Sequence, residues 1–411
     1  MLAILAPGQG AQTPGFLAPW LDLPGVADRL AAWSDLAGCD LIRCGTTAGP
    51  DEIRDTAVAQ PLLVAAGLVA AGAAFGELSG AAQPADLTAG HSVGELTAGV
   101  LAGVLPAAET MRLVQVRGAA MASAAAVTAT GMTAVLGGDE TEVLAMIDKH
   151  GLTAANVNGA GQIVAAGTLE QLAAFAENPP ARARLRSLQV AGAFHSTHMA
   201  PAVAALRDAA AGLTAADPVI TLLSDADGAA VTTGADWLNR IVNQVSAPVR
   251  WDECMQTMSR LGVTAVIELP PAGTLTGLAR RMLPGVALLA LKHPDQIADA
   301  RALAAEHGTA EPGTAGHEPG ADSHHPEWRL LVAPVSGTFR AGSADGPAAE
   351  PGTLVSAGAE LGLIDARGDR RPISPEYSGA LIEWLVEDGD PVSAGQPIAR
   401  LQPETSEQTT A

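Results

Sequence analysis

The chain has 411 residues and a formal charge of −21, with 48% hydrophobic but only 3% aromatic residues. An acidic balance of this size argues against nucleic-acid binding, which needs a basic stripe to neutralise phosphates, and the length supports a large core and more than one domain. Three cysteines, Cys39, Cys44 and Cys254, fit neither a metal-ligand spacing nor an even disulfide framework, which points to a reducing, cytoplasmic setting.

The chain opens on an apolar run without a basic flank and turns at once into a glycine-rich loop, so residues 1–7 read as a buried first strand and not as a signal peptide. No apolar run reaches the length needed to span a bilayer. Strand candidates at 2–5, 87–89, 219–223, 263–268 and 286–291 alternate with helical patterns up to about residue 307. That alternation predicts an α/β domain, a parallel sheet with helices on both faces. Residues 125–192 interrupt it. Strands at 133–136, 152–157, 162–166 and 185–190 and helices at 140–149 and 169–177 follow the order β-α-β-β-α-β, a ferredoxin-like subdomain inserted in the larger one.

Residues 308–328 are rich in Gly, Pro, Glu and His and read as a flexible linker, in which His317, His324 and His325 are solvent histidines, not a metal site. Residues 329–403 carry an internal repeat: "APVSG" at 333–337 is echoed by "SPEYSG" at 374–379, and "VSAG" occurs at 355–358 and again at 392–395. Glycine turns and short apolar runs at this density predict a small all-β domain of two similar halves, followed by a disordered tail at 404–411.

The stretch "GHSVG" at 90–94 sits where a strand hands over to a helix, the setting of a nucleophile elbow that exposes a serine hydroxyl at the carboxyl edge of a sheet. Alone, it fits a capping serine in a tight turn as well. Ser92 needs a base. His91 adjoins it but is expected to point away, and His195, in "GAFHSTHMAPA", follows the last subdomain strand, with His198 as a competitor. A helix opening at Pro106 places Leu113, Arg117 and Met121 on one face, while Arg112 points elsewhere. An arginine in an apolar stripe needs an anion: an internal carboxylate, or one that arrives with a substrate.

Seven blocks then occur in order: "PGQGAQ" (7–12), "GHSVGEL" (90–96), "VQVRGAAM" (114–121), "NVNGAGQIVAAG" (156–167), "GAFHSTHMAPA" (192–202), "QVSAPVRW" (244–251) and "ELPPAGTLTGLARR" (268–281). Together they resemble the malonyl-CoA:acyl carrier protein transacylases of fatty-acid and polyketide synthesis, over residues 1–307. The resemblance implies a ping-pong transfer of malonate from malonyl-CoA to the phosphopantetheine thiol of an acyl carrier protein. Ser92 is then the acylated nucleophile, His195 its base, and the Gln244 backbone carbonyl the group that orients the imidazole. The backbone N–H groups of Gln9 and Val93 form the oxyanion hole, and Arg117 grips the malonate carboxylate beside Met121 and Phe194, the latter favouring an unbranched malonyl group. No metal is implied. The carrier is acidic in this family, so a basic patch is expected, at Arg182, Arg184 and Arg186 or at Arg280 and Arg281. A serine thioesterase or other hydrolase on the same elbow, or a non-catalytic scaffold, are the alternatives.

The 329–403 region resembles biotinyl/lipoyl carrier domains. Their modified lysine falls at Arg367 or Gly368, and the chain has no lysine after Lys292, so no attached biotin or lipoate is expected. Such a tail is a candidate docking module toward a carboxylase or synthase complex.

Overall fold

A computed structural model describes residues 1–76, 85–308, 329–342, 349, 352–366, 369–375, 378–386, 388–394 and 396–403. The chain divides into two compact units, Met1–Ala315 and Gly316–Ala411. The boundaries expected at 308–328 and the tail expected at 404–411 lie almost wholly outside the described residues.

In the first unit the Leu2–Ala6 strand is flanked in parallel by Ala265–Glu268 and Leu87–Gly90, and the sheet extends to Ala287–Ala290 on one side and Thr221–Leu223 on the other. Ala230–Val231 closes the far edge in antiparallel pairing. The period of two along the first strand assigns its faces. Leu2, Ile4 and Ala6 pack with the helices Thr56–Phe75, Gly94–Leu101 and Ala107–Ala125. Ala3 and Leu5 pack with Trp251–Arg260 and Thr274–Met282. Both faces are therefore covered, as the alternation predicts.

One expectation is corrected. The Thr56–Phe75 helix is, by length and composition, apolar enough to cross a bilayer, but 78% of its most apolar window is buried inside the protein. A helix that is apolar all round belongs in a core that wraps it on every side.

The inserted subdomain has the expected order: Thr130–Gly137, Glu140–Lys149, Thr153–Gly159, Gln162–Thr168, Leu169–Glu177 and Ala183–Ser187. Both helices are capped by side chains, Asp139 accepting from the Glu142 N–H and Thr168 from the Gln171 N–H. The last strand ends at Ser187, short of the expected 190, and Leu188 and Val190 beyond it line the cavity described below. The sheet also gains Val249–Arg250, paired in parallel with Thr153–Gly159, a strand that two residues in "QVSAPVRW" were too short to announce.

The second unit, in its described residues, is all-β. One sheet runs in the order Arg329–Val332, Pro397–Pro403, Gly379–Trp384, Leu354–Val355; the other Asp369–Ile373, Gly362–Ala366, Gly337–Ala341, Pro391–Val392. Phe339, Ile364, Ile373, Leu381, Ile398 and Leu401 are buried in a core of their own. The repeat has a structural meaning: Gly337–Ala341 of the first half pairs with Pro391–Val392 of the second, and Gly379–Trp384 pairs back with Leu354–Val355. Each half thus completes a sheet of the other. Arg367 and Gly368, where a carrier lysine would fall, lie outside the described residues.

Candidate active site

The Leu87–Gly90 strand and the Gly94–Leu101 helix are joined by three residues, and Ser92 takes φ 54°, left-handed for a residue with a side chain. Such strain costs about 1–3 kcal/mol and persists only where neighbours over-determine it. Here they do. A Cβ on Gly90 would fall 2.0 Å from the Gly94 carbonyl carbon, and one on Gly94 would fall 2.1 Å from the Ala6 carbonyl oxygen. The two glycines of "GHSVG" are therefore what lets the turn close against the sheet. The Ser92 N–H is held as well, donating to Asp225 Oδ2 at 2.7 Å.

Ser92 Oγ lies 2.7 Å from His195 Nε2. His195 Nδ1 lies 2.8 Å from the Gln244 carbonyl oxygen. A carbonyl only accepts, so Nδ1 carries the proton and Nε2 is left as the acceptor for the serine hydroxyl. His195 is 3% exposed. Burial first, then the Arg117 charge, pull its pKa from 6.5 down to about 3, against the opposing hydrogen bond to Gln244. His198 lies in the Thr197–Met199 turn and does not line the cavity; His91 bonds Asn158 Oδ1 at 2.9 Å through Nε2, yet still contributes to the cavity wall.

Arg117 is 1% exposed on the buried face of the Ala107–Ala125 helix with Leu113 and Met121, and Arg112 is exposed, as the spacing predicts. Its partners are not the internal acid that a buried cation suggests. Nη1 donates to Gln60 Oε1 at 2.6 Å and Nη2 to Gln244 Oε1 at 2.7 Å, with Ser92 Oγ 3.4 Å from Nη2. Nε has no partner. Among the described residues no carboxylate bonds the guanidinium directly, and burial pulls its pKa down to about 10, with Asp225 and Glu95 opposing from further off. A buried cation satisfied by neutral oxygens beside a nucleophile is equipped to take an incoming anion.

These groups open on one cavity of about 230 Å³. Gln9, Val93, Met121 and Phe194 line it with Ser92, Arg117 and His195, so the expected site residues share one space. Gln244 acts from behind, through its carbonyl on His195 and its side chain on Arg117. The far wall is the subdomain sheet, through Met132, Ala134 and Val164. Among the described residues no group of three or more His, Cys, Asp or Glu is placed to hold a metal ion.

Three buried residues were missed: Gln60, Glu95 and Asp225. Each left a trace. Gln60 is a lone amide in the long apolar helix, and Glu95 is an acid one step inside an apolar helix behind the elbow. Asp225 follows the Thr221–Leu223 strand, which pairs with the elbow strand through Ala89 and Leu223, and the carboxyl ends of adjacent parallel strands are where sites form.

The acyl transferase domain family matches residues 7–310. The chain is 53% identical over 300 residues to the malonyl CoA-acyl carrier protein transacylase of Mycobacterium bovis, covering 72% of this chain and 98% of that protein. It is 32% identical over 308 residues to the Escherichia coli protein of the same name, covering 73% and 99%. Among solved structures it is similar to that of MCAT from Mycobacterium tuberculosis, with TM-score 0.69 and 51% identity over 73% of this chain and 99% of that one. It is also similar to a malonyl-transacylase in complex with its type II PKS acyl-carrier protein, with TM-score 0.67 and 28% identity over 73% and 99%.

Proposed function

The chain belongs to the acyl transferase domain family, among the malonyl CoA-acyl carrier protein transacylases, and from that membership we propose how its own residues perform the transfer. The enzyme is an acyl-carrier-protein S-malonyltransferase: it takes malonate from malonyl-CoA and passes it to a carrier-protein thiol. One observation carries the assignment of the site. The Arg117 guanidinium, without a directly bonded carboxylate among the described residues, ends 3.4 Å from the Ser92 hydroxyl.

In the first half-reaction Ser92 Oγ attacks the thioester carbonyl and its proton passes to His195 Nε2. The Gln9 and Val93 N–H groups receive the oxyanion, Val93 with the help of the helix that begins beside it. Collapse breaks the C–S bond, and His195 returns the proton to the departing coenzyme A thiolate. In the second half-reaction the carrier's phosphopantetheine thiol gives its proton to His195, its sulfur attacks the serine ester, and Ser92 leaves with that proton. Arg117 holds the malonate carboxylate throughout, and Phe194 crowds the α-carbon against a methyl branch.

A hydrolase on the same elbow has no use for a buried cation facing the acyl chain, and the relatives are named as transacylases. Intact-mass measurement with malonyl-CoA tests the reading. A malonyl adduct is expected, absent in Ser92→Ala and discharged onto added holo-carrier; loss of the adduct to water at the same rate with and without carrier would favour the hydrolase.

For the second unit we propose a biotinyl/lipoyl-like domain that carries no cofactor and docks the enzyme near a carboxylase or synthase. The exchanged strands and the lack of lysine after Lys292 support this reading. The domain division expected from the sequence, with 1–307 as the transferase, and a cytoplasmic setting belong to the same proposal.

A further inference from the structure

Gln244 does more than offer its carbonyl. Its side-chain Nε2 donates to Asp225 Oδ1 at 2.9 Å and Glu95 Oε2 at 2.7 Å, with the Ser92 carbonyl oxygen at 3.2 Å. Its Oε1 accepts from Arg117 Nη2 at 2.7 Å. The amide therefore stands between a buried cation and two buried carboxyls that belong to different elements. Glu95 is on the elbow helix, Asp225 follows the neighbouring strand, and Gln244 ends the Gly234–Gln244 helix.

We propose that Asp225 and Glu95 are positioning residues for malonyl selectivity: by fixing which way the Gln244 amide faces, they hold the Arg117 guanidinium where the substrate carboxylate must bind. The inference rests on the malonyl-transfer reading and deepens it. An amide can turn end for end in a site of its own shape, and its neighbours decide which end goes where. Acceptors on the acidic side force the NH₂ group toward Asp225 and Glu95, so the oxygen must face Arg117. The reverse orientation sets an NH₂ against the guanidinium and an oxygen against two carboxyls. Gln60 holds the other flank of the cation at 2.6 Å. Neither Asp225 nor Glu95 lines the cavity, so neither touches the substrate; both reach Arg117 through Gln244, and Asp225 also holds the Ser92 N–H. Burial raises the pKa of both carboxyls, and Asp225 is held by the Ser92 N–H and the Gln244 amide as donors.

Asp225→Asn tests this. The new side chain can still accept from the Ser92 N–H, but its NH₂ then meets the Gln244 NH₂, and the amide is driven to turn. Single-turnover acylation of Ser92 is followed by intact mass with malonyl-CoA and, separately, with acetyl-CoA, in wild type and variant, with melting temperatures alongside. The malonyl-to-acetyl rate ratio is expected to fall at least tenfold. Equal loss of both rates, the signature of a merely structural role, overturns the inference, as does an unchanged ratio. If Asp225→Asn does not fold, Gln244→Met gives the same reading: it keeps the backbone carbonyl on His195 and removes the amide, and the ratio must fall there too or the inference is lost. A wild-type enzyme without preference for malonyl-CoA would overturn the malonyl-transfer reading itself, a result distinct from a selective wild type with an equally selective variant.

Discussion

Arg117 Nη2 and Ser92 Oγ are 3.4 Å apart, so the cation and the nucleophile face the same small volume. In a malonyl thioester a single methylene separates the carboxylate from the carbon under attack. An acyl group whose carboxylate sits on Arg117 is thereby presented to Ser92, and an acyl group without one is not.

Arg117→Ala removes that anchor. Hydrogen bonds to charged groups are worth roughly 1.5–3 kcal/mol, so malonyl acylation should slow by about 10- to 100-fold. Acetyl acylation, which makes no such contact, should change much less. Rates of adduct formation from the two thioesters measure this, and parallel loss with both would show that Arg117 only supports the fold.

The pH dependence follows from His195. Its pKa is lowered from 6.5 to about 3 by burial and the Arg117 charge, so in the free enzyme the imidazole is neutral and ready to act as a base across pH 5–7. Acylation kcat/KM should show no half-drop near pH 6.5. The stability sign is the opposite of a salt-bridged histidine. Between the two values the unfolded chain binds the proton and the folded chain does not, so this group's contribution is complete above about pH 6.5 and is lost progressively as the pH falls toward 3. An acid limb centred at 6.5 in the acylation rate would show an ordinary, solvated histidine.

Much of this was legible in the chain, for identifiable reasons. Strands such as Leu2–Ala6 are short apolar runs between turns, and the 3.6-residue period put Arg117 with Leu113 and Met121 on a buried face. The elbow was legible because only two glycines permit it. Asp225 and Glu95 were not, because their role depends on which strands become neighbours and not on any local pattern. The Gln244 side chain was hidden for a related reason: its backbone role on His195 came with the family resemblance, whereas its bond to Arg117 requires the end of one helix to meet the middle of another. The expectation that no apolar run reaches a bilayer's thickness failed because Gln60 and Pro61 break the apolar run along the sequence but not the Thr56–Phe75 helix, which continues through them.

The two units have separate cores, one built on the parallel sheet and one on Phe339, Ile364 and Leu381. A chain ending at residue 308 should therefore keep the acylation rate of the full protein within about twofold, since the described residues that line the cavity all belong to the first unit, which has its own core. Stopped-flow or quenched acylation of both forms checks it. Loss of turnover in the shortened chain would mean that the second unit contributes to the chemistry, contrary to its proposed docking role.

The carrier's approach gives the last prediction. On the subdomain sheet Ala134 pairs with Arg186 and Leu136 with Arg184, and residues paired across antiparallel strands share a face. Ala134 lines the cavity, so Arg186 and Arg184 continue that face outward from it, exposed and without an ion pair among the described residues. An acidic carrier delivering its thiol to Ser92 would meet them, against an overall charge of −21 that otherwise repels it. Charge reversal in Arg184→Glu should raise the KM for holo-carrier by about 3- to 10-fold, on the scale of a rim ion pair turned repulsive. The half-reaction with malonyl-CoA should keep its rate, because its chemistry lies at Ser92 and Arg117. Added salt should narrow the gap between wild type and variant, since these charges are exposed and screened. Carrier kinetics unchanged in Arg184→Glu at low salt would place the docking surface elsewhere, with Arg280 and Arg281, exposed at the end of the Thr274–Met282 helix that also lines the cavity, as the next charges to reverse.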